Sequence, residues 1–211
     1  GDVQPLVTDG QGNKLGYENG QFVNAIPGAA LLAGIGFNPA DPDARGPETL
    51  YLPAGALYDI AIQPTTSGLY TATLFGNGSA ASLDAVQAAA GQVDTLTLNG
   101  ALDVTFDPSS DGDYCHYVTR EVAADASRSY ESCVSGAMGG VVGFNLATDG
   151  GALSVHNQGG AAIQVTSRIE QVGAGSGVQE QQLEVAPGAS ATVTAFGGDS
   201  AGNVYLPLIQ R

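Results

Sequence analysis

The side chains that could carry chemistry in this chain are few, and their spacing limits what that chemistry can be. It has two histidines, His116 and His156, and two cysteines, Cys115 and Cys133. A hydrolytic triad needs a nucleophile beside a His that an acid orients. His116 adjoins a cysteine and His156 lies at a strand end beside Asn157, so no catalytic residue is assigned and the chain reads as a non-enzyme. A zinc site from Cys115, His116, Cys133 and His156 has the right ligand types, but adjacent Cys115 and His116 do not match the two-to-four-residue knuckle of structural zinc sites. The short polar stretch between the cysteines favours a Cys115–Cys133 disulfide, whose closed loop contributes about 3 kcal/mol. A disulfide places the chain outside the cytosol, secreted or at a cell surface.

Hard oxygen ligands are better represented. Asp107, Asp111 and Asp113 fall in one short loop with Gly112 to allow a sharp bend, a candidate calcium site, and Asp41 with Asp43 is a weaker one. The Asp107–Asp113 loop lacks the Glu that ends an EF-hand, and Asp-Gly and Asp-Pro also form ordinary turns. With no Trp, carbohydrate stacking would fall to Tyr51, Tyr58, Tyr70, Tyr114, Tyr117 or Tyr130. No pair of acids sits in an aromatic setting that would suit glycoside cleavage.

The elements that must position these residues are strands. Thirty-one Gly, ten Pro and no sustained helical period predict an all-β protein rich in turns, and a hydrophobic fraction of 43% is enough to cover a core. Runs with an apolar period near two flank tight turns in LYLPAGALY (50–58), LTLNGALDVTF (96–106) and LEVAPGASATVTAF (183–196), each read as a hairpin. Ala56, Tyr58, Ile60 and Ile62 share one face. Ser82 to Ala90 alone invites a helix, of one or two turns, because Ser82 can cap it and Ala favours helix. The polar, turn-rich stretch Asp107 to Asp113 is the best domain boundary. The expectation is two tandem antiparallel β-sandwich domains, Ig-like or jelly-roll-like: 1–108, then an Ig-like 109–211 holding the disulfide.

Charge excludes some partners. Six Lys and Arg against 21 acidic residues give a net charge of −15, and the cations are scattered singly, so nucleic acid and anionic membrane are poor partners. No apolar run is long enough for a membrane-spanning helix. The chain opens at Gly1-Asp2 without Met or leader-like stretch and reads as a processed or excised product.

The string LVTDGQGNKLGYENGQFVNAIPGA (6–29), followed by GLYTATLFG (68–76) and QVDTLTL (92–98), is similar to β-sandwich modules appended to secreted bacterial hydrolases and surface proteins. The matching positions are Asp9, Gly12, Gly16, Tyr17, Asn24, Pro27, Gly28, Gly68, Tyr70, Gly91 and Asp94. The likeness covers the first half and implies a fold rather than an activity. The second half resembles bacterial Ig-like adhesion modules through LSVHN (153–157) and LEVAPGASATVT (183–194), although it lacks the Trp and the wide cysteine spacing of immunoglobulin domains.

Together these features predict a non-catalytic secreted or cell-surface structural or adhesive protein that self-associates or binds other surface proteins. Terminal strands centred on Val3, Leu6 and Val7 and on Val204, Leu206 and Leu208 would add to a neighbour's sheet and build a filament or sheath. The alternative is an accessory carbohydrate- or calcium-binding module of a larger secreted hydrolase.

Overall fold

Apolar–polar alternation becomes strand nearly everywhere. A computed structural model describes residues 3–32, 49–54, 57–76, 79–99, 103–136, 140–173 and 176–195. Among these residues there is no helix. Numbered along the chain, the strands are β1 (Val3–Asp9), β2 (Lys14–Glu18), β3 (Gln21–Asn24), β4 (Ala30–Leu32), β5 (Thr49–Tyr51), β6 (Leu57–Pro64), β7 (Gly68–Gly76), β8 (Ser79–Ala88), β9 (Asp94–Asn99), β10 (Asp103–Asp107), β11 (Tyr114–Ala123), β12 (Ala126–Ser135), β13 (Val142–Leu146), β14 (Ala152–Asn157), β15 (Ile163–Val172), β16 (Gly177–Val185) and β17 (Ser190–Thr194).

Nine strands form one antiparallel sheet in the order β17-β14-β13-β10-β9-β6-β1-β2-β3, and six form a second in the order β16-β15-β12-β11-β8-β7. From β6 onward the chain alternates between them. It lays down hairpin β7–β8 in the six-stranded sheet, then β9–β10 in the nine-stranded one, then β11–β12, β13–β14, β15–β16 and finally β17. The first strands of the successive returns begin at Asp94, Val142 and Ser190, so the stack grows evenly, hairpin upon hairpin.

The two sheets face each other over a shared core. Phe106 of β10 and Phe144 of β13 meet Tyr114 of β11 edge-on, with centroids 5.0 and 6.5 Å apart. Tyr130 of β12 donates its hydroxyl to the carbonyl of Gly150 in the β13–β14 turn at 2.8 Å. One cluster of buried side chains runs from Val7 and Leu15 to Val185 and Val193. Burial of such aliphatic and aromatic side chains is the main favourable term, about 1.5–3 kcal/mol for each large one.

This topology alters the expected division at Asp107–Asp113. β8 pairs with β11 and β10 pairs with β13, so strands on either side of that loop belong to the same two sheets. The described strands before and after the loop therefore contribute to both layers. Local periodicity carries no information about which sheet receives the next strand, which is why a polar loop reads as a boundary.

Of the three expected hairpins, only β9–β10 is one, with Val104 opposite Leu98. β5 pairs with β4, because β6 already has β1 on one edge and β9 on the other. The Pro187-Gly188 turn carries the chain from β16 in one sheet to β17 in the other. The helix-like segment is most of β8, where a bulge sets Asp84 and Ala85 against β7 and puts Ala85 at φ 58°.

Candidate functional site

Cys115 and Cys133 are direct cross-strand partners in β11 and β12, with Cα atoms 4.0 Å apart, and they form the disulfide. They lie half-buried on the outer face of the six-stranded sheet, since Tyr114, His116 and Val118 occupy the inner face. On the same outer face the Tyr117 hydroxyl donates to Glu131 at 2.9 Å. That bond, followed by partial burial, raises the Tyr117 pKa. Arg168 opposes Glu131 across β12–β15 and pairs with Glu170 at 3.1 Å and more loosely with Glu180 at 3.9 Å. Tyr117, Glu131, Arg168 and Glu170 line a shallow pocket of about 220 Å³. A tyrosine, an arginine and carboxylates arrayed on a sheet can bind polar groups.

Among the described residues, the set of three metal-capable side chains whose ligand atoms lie within 4.8 Å of one another is Cys115, Glu131 and Cys133, and the disulfide occupies both sulfurs. Asp107, Asp111 and Asp113 do not converge in this way. All three are exposed. Their loop is pinned by its serines: Ser109 hydrogen-bonds to Asp94 and Ser110 donates to the Gln87 carbonyl at 2.8 Å. Asp41 and Asp43 lie outside the described residues.

The imidazoles are apart and differ in setting. His156, half-buried on β14, shares a 2.7 Å hydrogen bond with Ser190. His116 is in the core, stacked on Phe144 with centroids 4.2 Å apart and an interplanar angle of 14°. Neither imidazole hydrogen-bonds to a carboxylate among the described residues. Gly198-Asp199-Ser200-Ala201-Gly202 has the G-x-S-x-G spacing of a nucleophile elbow, a string the sequence reading passes over. It lies outside the described residues, and both histidines precede it, unlike the Ser-acid-His order of the hydrolases that use that elbow.

The proposed assembly strands have different fates. β1 pairs with β6 from Val3 to Asp9 and with β2 only from Leu6 to Thr8, so Leu6 and Val7 are engaged on both sides, and Val7 is buried. At Leu6 and Val7 this departs from the expected open edge, while Val3 pairs with β6. Val204, Leu206 and Leu208 lie outside the described residues. Sequence reasoning assigns no role to Asp94, whose buried carboxylate bonds to Tyr70 and Ser109. Its signal was parity, because Asp94, Leu96 and Leu98 share one face of DTLTL. His116 carries the same signal beside Tyr114 and Val118.

A second concavity, of about 330 Å³, opens between the β1–β2 turn and the start of β6, with Ile26, Pro27, Pro53 and Leu57 forming much of its wall. Asp9 at its rim accepts hydrogen bonds from the Asn13 side chain and from the N–H groups of Gln11 and Asn13, and these bonds hold its pKa below the usual value. Asp9 thus closes the β1–β2 turn. No protein-family model, curated protein or solved structure matches the chain.

Proposed function

We propose that this is a non-catalytic, secreted or cell-surface structural protein that self-associates by strand addition into an extracellular filament or sheath. The observation that supports this reading is the end of the hairpin stack. Among the described residues β17 is the terminal strand of the nine-stranded sheet, and its sequence Ser-Ala-Thr-Val-Thr has neither charge nor proline to discourage pairing. The chain runs on from there to Val204, Leu206 and Leu208, whose spacing is that of a one-faced strand. Added to the β17 edge of a neighbouring copy, that segment would extend the sheet from molecule to molecule. The disulfide and the acidic surface suit an oxidising exterior.

Light scattering and electron microscopy of the full chain, with calcium and with chelator, test this reading against a chain truncated after residue 202. Concentration-dependent polymers that vanish on truncation support it. A full-length chain that stays monomeric at every concentration overturns it and favours an accessory binding module. Loss of polymers on chelation alone would bring in the Asp107–Asp113 loop.

A further inference from the structure

We propose that His116 is an acid-release catch between the two sheets: the neutral ring packs as one member of an aromatic cluster, and adding a proton to it forces the layers apart. The geometry is that of an interlock. His116 projects from β11 of the six-stranded sheet and is 1% exposed, and Phe144, on which it stacks, projects from β13 of the opposite sheet and is 0% exposed. Tyr114, on the same face of β11, sits edge-on to Phe106 and Phe144. Both nitrogens of His116 and the hydroxyl of Tyr114 are buried with no hydrogen-bond partner. A neutral imidazole tolerates such a site at modest cost, whereas an imidazolium with two unpaired N–H groups does not.

Among the described residues, neither His116 nitrogen has a hydrogen-bond partner that could compensate a charge. Its lateral neighbours are Leu83 of β8 and Ser132 of β12, and the Ser132 hydroxyl is engaged with Ser167 of β15 at 2.8 Å. The titratable group beside it is Tyr114, whose phenol burial holds protonated and uncharged. Cys115 is disulfide-bonded and faces outward. Burial alone lowers the His116 pKa to about 3. In the unfolded chain the ordinary value is about 6.5. The stability that depends on the neutral ring is therefore complete above about 6.5 and falls as the pH drops toward 3, because the unfolded chain then holds one more proton. Over that window the loss in the folding equilibrium constant approaches about tenfold for each pH unit.

The test is urea unfolding between pH 7 and 5 in an H156Q background, where His116 is the one imidazole, compared with H156Q/H116F. This range lies above the ordinary carboxylate titration. A loss of about threefold from pH 7 to 6 and about eightfold from pH 6 to 5 in the chain with His116, absent or much smaller in the Phe variant, is the expected result, and equal slopes overturn the proposal. If the Phe variant does not fold, nuclear magnetic resonance of the His116 ring in folded H156Q decides. A ring that stays neutral at pH 5 supports the catch, and one that titrates near 6.5 while the chain remains folded removes it.

Discussion

The Tyr70 hydroxyl on β7 donates a 2.7 Å hydrogen bond to Oδ2 of Asp94 on β9, tying the six-stranded sheet to the nine-stranded one through a fully buried carboxylate. Oδ1 of Asp94 accepts the N–H of Ser109 at 2.6 Å and its hydroxyl at 2.5 Å. Three donors thus stand in for water around a buried charge, and all three arrive from outside β9. Burial, followed by the bond to Asp94, raises the Tyr70 pKa far enough that the phenol remains a donor at any ordinary pH. The same carboxylate anchors the loop that carries Asp107, Asp111 and Asp113.

Removing one donor should therefore cost more than an average surface hydrogen bond. Tyr70→Phe keeps the ring but leaves Oδ2 without its partner, and a loss of about 1–3 kcal/mol is expected. Ser109→Gly removes only the hydroxyl and leaves the backbone N–H on Oδ1, so it should cost less than Tyr70→Phe. Urea unfolding at pH 7 measures both, and a Tyr70→Phe chain as stable as the parent would show that this bond contributes nothing.

The disulfide braces two strands that already pair, so its effect should be mainly on the unfolded chain. Its cysteines are 18 residues apart, and opening a loop of that size by replacing both with Ser should lower stability by about 3 kcal/mol while the folded sheet register persists. Circular dichroism before and after reduction, with the denaturation midpoint, checks both parts. Loss of the β spectrum on reduction without denaturant would show that the bond is needed for the fold itself.

How much of this was legible in the sequence depends on the range of the interaction. Parity places Tyr58, Ile60 and Ile62 on a core face, and all three are buried. Parity also puts Asp94 and His116 among apolar neighbours, but their partners Tyr70 and Phe144 come from the opposite sheet, and strand order is not encoded in local alternation. Pro187-Gly188 and Asn99-Gly100 look alike as turns; the first crosses between sheets and the second lies between two strands of one hairpin. In SLDAVQAAA, Leu83 and Val86 are both buried yet three residues apart, which mimics a helix face. The bulge at Asp84 and Ala85 adds one residue and shifts the period from two to three.

Two glycines of the N-terminal pattern should respond differently to substitution. A Cβ on Gly16 would lie 2.1 Å from the carbonyl oxygen of Pro5 on the neighbouring strand, at φ 126°, whereas one on Gly12, at φ 83°, would meet nothing within 4 Å. Gly12→Ala should carry only the left-handed backbone cost, about 1–2 kcal/mol. Gly16→Ala should cost clearly more, because β1 and β2 must separate to admit the methyl group. Thermal unfolding of the two variants side by side checks the order, and equal midpoints would contradict the close approach of these strands.

The bulge itself offers the opposite kind of change, a predicted gain. Ala85 holds a left-handed φ of 58°, and its N–H is fixed by the Asp84 carboxylate at 3.0 Å. An alanine in that region is strained by about 1–2 kcal/mol, and glycine removes the strain while adding about 0.5–1 kcal/mol of unfolded-chain entropy to be overcome. Ala85 is exposed, so no packing is lost. Ala85→Gly should therefore be neutral to stabilising, by up to about 1 kcal/mol, where a glycine inside an ordinary strand would destabilise. The bulge also depends on the Asp84 carboxylate, which accepts the Thr71 hydroxyl as well as its neighbour's N–H. Asp84→Ala should accordingly cost stability in the same urea assay. If Ala85→Gly destabilises and Asp84→Ala does not, β7 and β8 pair in regular register and the bulge is absent in solution.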